Sequence, residues 1–187
     1  MTGEHAANSI RLRTERLVLR PYVDDDIPAL VTLAGAREVA ATTLRIPHPY
    51  SEQNAREFLA HCRDDATLGP ESRFAITLRS DGQFCGGAGF RLDPAHHHAE
   101  LGYWLGVPFW GKGYATEAAR AMIRYGFETL GLHRIYASYL CENVASGRVL
   151  RKIGMKREGL LRGHICKWDK FHDLEFYGML RSDFIAA

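Results

Sequence analysis

Residues 101–115, LGYWLGVPFWGKGYA, carry the residue types and spacing best suited to holding a charged ligand. Leu101, Tyr103 and Leu105 alternate with Gly102, Trp104 and Gly106, which is the period of a strand. Gly111 and Gly113 end that alternation. Beyond them Ala115, Ala118, Ala119, Met122, Ile123 and Gly126 recur at helical spacing and form a stripe of mostly small residues. A strand, a glycine loop and a helix N-terminus together make an anion cradle, because loop N–H groups can approach a phosphate and the helix dipole favours negative charge. An ordinary strand-to-helix corner also uses glycine where the backbone turns to positive φ. The flanking residues therefore decide which ligand class the corner admits.

Three classes use such a corner. A nucleotide-hydrolysing P-loop needs G-x-x-x-x-G-K followed by Ser or Thr. Gly106, Gly111 and Lys112 are in register, but Gly113 stands where the metal-binding hydroxyl should be. A dinucleotide fingerprint needs G-x-G-x-x-G, and Thr116 occupies the third glycine position. The pyrophosphate of coenzyme A is the third class, and neither objection touches it. His96, His97 and His98 suggest a metal site, yet adjacent strand residues point to opposite faces and three in a row cannot converge on one ion. They read as a polar turn.

The elements that must position this corner follow from periodicity and punctuation. Residues 10–20 alternate and read as a first strand. Asp24 to Asp26 can cap a helix carrying Ile27, Leu30, Val31 and Leu33, and Ser51 a second carrying Ala55, Phe58, Leu59 and Cys62. Residues 73–78 and 84–90, joined through Ser80-Asp81-Gly82-Gln83, read as a hairpin. Residues 134–140 form a strand, 143–153 a short helix stopped by Gly154, and 159–165 and 173–180 two closing strands. The order is mixed α/β, with early hairpins and one or two parallel crossovers.

Composition narrows the partners. The chain has 187 residues and 46% hydrophobic content, enough for one domain over residues 10–187 behind a loose tail at 1–9. Its 24 basic and 22 acidic side chains leave no electrostatic footprint for nucleic acid. There is no apolar run of membrane-spanning length and no signal-peptide core. Cys62, Cys85, Cys141 and Cys166 are scattered and read as free thiols in a cytoplasmic protein.

Three segments together resemble the GNAT superfamily of N-acetyltransferases, closest to its ribosomal-protein N-terminal acetyltransferase branch. They are Thr14 to Arg20 (TERLVLR); Gly102-Tyr103-Trp104 through Trp110-Gly111-Lys112-Gly113-Tyr114-Ala115-Thr116-Glu117-Ala118; and Asn143-Val144-Ala145-Ser146 with Val149 to Met155. The resemblance runs from about Ile10 to Arg181. It implies a GNAT-like acyl-CoA N-acyltransferase fold: a mixed, mostly antiparallel sheet flanked by helices, with two central strands, residues 99–107 and 134–140, splayed apart. Acetyl-CoA would lie in that gap, its pyrophosphate on Gly111, Lys112, Gly113, Tyr114 and Ala115. Pro108 stands where the family usually has Gln or Arg, and it cannot copy that contact.

The resemblance also implies the chemistry. Acetyl transfer to an amine needs a neutral nitrogen, so a base or a water must take a proton from a group whose pKa is about 8 for an α-amine and about 10.4 for a lysine. Glu100, on the strand face of Gly102 and Trp104, is the candidate base; an ordinary solvated glutamate, or one paired with a neighbouring arginine, is the plainer reading, and His97 and His98 are alternatives. Backbone groups of Leu105, Gly106 and Val107 would orient the acyl chain. Asn143 and Ser146 would meet the pantetheine and thiol region, beyond their helix-cap role. Ser146 or water would serve the sulfur, because the family's helical tyrosine is replaced by Leu150. Arg148 and Lys152 could meet the 3′-phosphate or form a solvated face. Trp168 and Phe171, in a loop before the last strand, would shape the acceptor pocket.

The expected activity is direct transfer from acetyl-CoA to an amine in a ternary complex. The acceptor is left open among a protein N-terminus, a small amine, an amino acid and an antibiotic, and a homodimer is allowed. A ping-pong route through Cys141 and a non-catalytic acyl-CoA-binding sensor or assembly module on the same fold are the rivals, with a P-loop ATPase a distant third.

Overall fold

A computed structural model describes residues 10–68 and 72–185; the expected tail at 1–9 lies outside them. Eight strands form one sheet in the order β1-β2-β3-β4-β5-β6-β8-β7. They are β1 Leu12–Arg13, β2 Leu17–Arg20, β3 Arg73–Leu78, β4 Phe84–Asp93, β5 His98–Leu105, β6 Arg134–Leu140, β7 Lys156–Lys167 and β8 Lys170–Leu180. Every neighbouring pair is antiparallel except β5 with β6. The connection between those two is the crossover that carries the glycine loop and α4, Tyr114–Arg124.

Strand alternation divides the core. On one face Leu17, Leu19, Phe74, Ile76 and Leu101 pack against Ala118, Ala119 and Met122 of α4. On the other, Ala75 and Phe84 meet Ile27 and Leu30 of α1, Ile27–Ala34, and Ala55 and Leu59 of α3, Glu52–Leu68. Ser51 caps α3 as expected, its hydroxyl accepting the Asn54 N–H at 3.2 Å. The small-residue stripe lets the α4 crossover lie close to the sheet. At Gly126, just past α4, an added Cβ would stand 2.7 Å from Ile135 Cδ1 and 3.0 Å from the Phe90 ring.

Several expectations need correction. Residues 10–20 are two short strands, because Thr14 closes a turn: its hydroxyl accepts the Leu17 N–H at 2.9 Å and its own N–H donates to Leu17 O at 3.0 Å. A further helix, α2 at Arg37–Thr42, carries too short an apolar pattern to be seen in the sequence. The closing strands are longer than expected and meet in the two-residue turn Trp168-Asp169, with φ of 49° and 59°. Both positive values match the twist of a tight hairpin, so Phe171 lies in β8 rather than in a loop. β7 is an edge strand with mostly exposed residues, and without a buried face its ends leave no periodic mark. The chain closes with α6, Arg181–Ile185, and α5, Val144–Lys152, follows β6.

The Gly126 contact makes a direct prediction. Gly126→Val should cost about 1–3 kcal/mol of unfolding free energy, because Ile135 and Phe90 are core residues with no room to give. Urea denaturation measures it, and an unchanged midpoint would contradict the close packing.

Candidate active site

The single parallel pair of strands is short. β5 and β6 pair at His98–Arg134, Ala99–Ile135 and Glu100–Tyr136, and there the register ends. β5 then follows β4 as far as Gly86–Leu105, while β6 follows β8 as far as Leu140–Leu174. Each strand stays with its outer partner, so the two diverge and open a cleft of about 1110 Å³. The ladder phase says which backbone groups face it. Gly106 N–H donates to Cys85 O of β4 at 2.9 Å, so alternation turns the N–H and C=O of Tyr103 and Leu105 the other way, toward the gap. The Leu105 carbonyl accepts the Trp110 indole N–H at 2.7 Å. The expected edge, Leu105 to Val107, therefore moves back along the strand: the Gly106 amide is engaged by β4, and Gly106 and Val107 are not among the cleft-lining residues.

At one end of the cleft lies the glycine loop. Gly111 and Gly113 have φ of 74° and 83°, values that favour glycine. Gly113 caps α4 without a side-chain hydrogen bond, so the first N–H groups of the helix remain directed at the loop. Gly111, Gly113, Tyr114 and Ala115 line the cleft. Lys112 does not; its ammonium lies 5.8 Å from the centre of the Phe109 ring.

The loop is braced from the first strands. Glu117, in the first turn of α4, accepts the Thr14 hydroxyl at 2.6 Å and the Arg16 N–H and Nε–H at 2.8 Å each. Arg16 Nη1 also donates to Lys112 O at 3.0 Å. Burial alone would raise the Glu117 pKa, but the Thr14 and Arg16 hydrogen bonds outweigh it and hold the carboxyl below its ordinary value. Two of the three sequence segments, far apart in the chain, are thus one mechanical unit.

Across the gap, α5 presents its N-terminus. Asn143 Oδ1 accepts the Ser146 N–H at 3.1 Å, and its Nδ2 donates to Thr42 O at 3.0 Å. It is both the expected cap and a tie to the end of α2. Ser146 Oγ lies 2.9 Å from Tyr103 Oη, which also donates to Ser146 O at 3.3 Å. This pair bridges β5 and α5 over the cleft. Burial pushes the Tyr103 hydroxyl up to about 12, so it stays protonated at neutral pH. Tyr103 was not foreseen as a site residue. The sequence reading looked for a tyrosine on α5, where Leu150 is 1% exposed and part of the core; the alternation that places Tyr103 on the helix-facing side of β5 was the available signal. Arg148 and Lys152 line the cleft on the same helix.

Glu100 sits where the strands part and is 7% exposed. It lines the cleft with Gly102 and Trp104, as alternation predicts. Arg45 Nη2 and Arg91 Nη2 each stand 2.8 Å from its Oε2, and Ser138 Oγ donates to Oε1 at 3.3 Å. The arginine-paired reading of Glu100 is the one these contacts show, its burial overturns the solvated one, and its carboxylate stands in the cleft. His97 and His98 are not cleft-lining residues; His98 stacks on His96 with ring centres 5.7 Å apart. No group of three metal-ligating side chains occurs among the described residues. Cys141 is likewise absent from the lining, and burial raises its thiol pKa, so no ready thiolate stands in the cleft. No helix among the described residues is long and apolar enough to cross a membrane.

This geometry agrees with known proteins. Residues 16–156 match the acetyltransferase (GNAT) domain family. Over 174 residues the chain is 33% identical to the uncharacterized N-acetyltransferase p20 of Bacillus licheniformis, covering 92% of this chain and 97% of that one. A GNAT-family acetyltransferase structure from Bacillus anthracis superposes with a TM-score of 0.83 at 28% identity, covering 92% of this chain and 99% of that one. A shorter match, 39% identical over 69 residues, is to the [ribosomal protein uS5]-alanine N-acetyltransferase of Escherichia coli strain K12, covering 37% of this chain and 36% of that one.

The Glu117 brace should be visible as a pH dependence of stability. Its folded pKa is lowered, so its stabilisation is present above the ordinary carboxylate range and is lost as pH falls through the folded value. Glu117→Gln should unfold at a lower temperature than the parent at neutral pH, and the two melting curves should converge on acidification. Equal melting temperatures at neutral pH would contradict the brace.

Proposed function

This chain belongs to the GNAT acetyltransferase family and is by that membership an acetyl-CoA-dependent N-acetyltransferase; on that premise we propose that it transfers the acetyl group directly to a primary amine, within a ternary complex in this cleft. The observation that carries the proposal is the continuous path from the uncapped start of α4 to the Tyr103–Ser146 pair and on to Glu100. The residues present fit the donor at each point. The N–H groups at Gly113 to Ala115 suit its pyrophosphate. Arg148 and Lys152 suit the 3′-phosphate, Asn143 the pantetheine amides, and the gap-facing backbone of Tyr103 and Leu105 the acyl arm. Bound acetyl-CoA supplies an activated acetyl thioester.

Each group then has one task. Glu100, directly or through a water, takes the proton that the amine must lose. Tyr103 and Leu105 N–H groups stabilise negative charge on the acyl oxygen. Ser146, held by Tyr103, gives a proton to the departing sulfur, and the proton taken up at Glu100 returns through water to restore the Ser146 hydroxyl. One proton leaves the amine and one reaches the thiol, and every side chain ends in its starting state. Cys141 has no part. The relative matched over 69 residues is named for the alanine of a ribosomal protein, which makes a protein N-terminus the acceptor class to set against small-molecule amines.

Steady-state kinetics with a free-thiol readout tests these roles. Ser146→Ala and Tyr103→Phe should each lower kcat by about tenfold or more while leaving the calorimetric Kd for acetyl-CoA near its parent value, and Glu100→Gln should lower kcat by about a hundredfold. Cys141→Ala should keep full activity. Loss of activity in Cys141→Ala, with an acetylated cysteine trapped in the parent, would overturn direct transfer.

A further inference from the structure

The face of the sheet that carries Glu100 has a floor and a wall of its own. At Gly102 an added Cβ would meet nothing within 4 Å, so the middle of β5 is open to the cleft. Gly87 and Gly89 of β4 lie on the same face but are already covered, Gly87 by the Tyr22 hydroxyl and the Trp104 indole and Gly89 by Ser72 and Arg73, so the open strip is at Gly102 itself. Beside it stand Tyr22, Tyr50, Phe58 and Trp104, all lining the cleft, with the Tyr22 and Phe58 rings edge to face at 5.0 Å. The wall suits an apolar or aromatic body.

The charges at its mouth are unequal. Arg45 and Arg91 converge on one oxygen of Glu100, each at 2.8 Å. A single carboxylate neutralises one guanidinium, so the pair keeps a net positive charge. Their side chains are 63% and 62% exposed, against 8% for Glu100, and each planar fork carries five N–H donors. Arg73 and Glu57, one charge of each sign, also line the cleft and leave that excess unchanged. A polycationic acceptor would be repelled here. An acceptor carrying its own carboxylate would complete the arrangement, because a guanidinium fork and a carboxylate match in geometry and charge.

We propose that Arg45 and Arg91 receive a carboxylate on the acceptor, and that the acceptor is an α-amino acid with an apolar or aromatic side chain lying against the Tyr22–Phe58 wall. This rests on the acetyltransferase reading above and names its substrate class. The transfer is unaltered: the N–C bond forms, the C–S bond breaks, the amine proton goes to Glu100 or a water, and the sulfur is protonated from Ser146. A peptide N-terminus presents a neutral amide where the amino acid presents a carboxylate and so leaves the excess positive charge of the arginines unmatched.

The test compares phenylalanine, phenylalaninamide, phenethylamine and an alanine-initiated peptide by free-thiol release, together with calorimetric titration of phenylalanine and of its amide into the protein saturated with coenzyme A. Phenylalanine should exceed its amide in kcat/KM and in affinity by about tenfold or more, the loss expected of one charge-assisted pair. Arg45→Gln and Arg91→Gln should bring both ratios toward one, a change that a merely structural role would not produce. Equal or better use of the amide, the decarboxylated amine or the peptide would overturn the inference while leaving the acetyltransferase reading standing, as would a carboxylate preference that survives both substitutions. Thiol release with none of the acceptors, and no calorimetric binding of acetyl-CoA, would remove both.

Discussion

Past the Glu100–Tyr136 pair, β5 and β6 cannot both keep their outer partners and each other. β5 runs on with β4, β6 runs on with β8, and the sheet opens between them. Everything at the site depends on that divergence. It turns the backbone groups of Tyr103 and Leu105 from ladder members into cleft-facing groups, and it makes room for Tyr103 to reach Ser146 on α5. An open strand edge inside a sheet is costly unless something pairs with it or bridges it. The Tyr103–Ser146 bridge and the Asn143–Thr42 tie hold its two sides together.

The two faces of β5 divide the work. Tyr103 points toward α4 and α5, where the glycine loop and the α5 N-terminus stand. Glu100, Gly102 and Trp104 point the other way, toward an aromatic wall and the arginines. On the proposed function, one strand thereby presents donor and acceptor to each other from opposite sides of a single backbone, with the reacting centre where the strands part. The closing hairpin braces the arginine side. Lys167 donates to the Ala40 and Thr43 carbonyls at the end of α2, and Arg37 lies 5.0 Å from the Trp168 ring. These contacts fix the segment from which Arg45 reaches Glu100.

The periodicity switch at Gly111 to Ala115 marked the loop, and the strands at 73–78 and 134–140 are where alternation put them. Those elements are legible because each has a buried face and a hard stop. Glu100, Asn143 and Ser146 were candidates through the family resemblance; alternation and cap chemistry gave only the cleft face of Glu100 and the Asn143 cap. The arginines on Glu100 were not. Arg45 lies in a connecting segment without period, and its contact spans 55 residues. The Thr14–Arg16–Glu117 brace was invisible for the same reason, since it joins positions about a hundred residues apart. Tyr103 was passed over because its neighbours made it look like one more apolar strand residue.

The central claim is that acetyl-CoA lies along the opened edge of β5 with its pyrophosphate on the start of α4. Amide hydrogen exchange with and without acetyl-CoA tests it most directly. Slowed exchange confined to the amides of Tyr103, Leu105 and Tyr114 to Thr116, with the β1–β3 amides unchanged, is the result this account requires. Binding that leaves those amides unprotected, or that protects another part of the sheet, would contradict it.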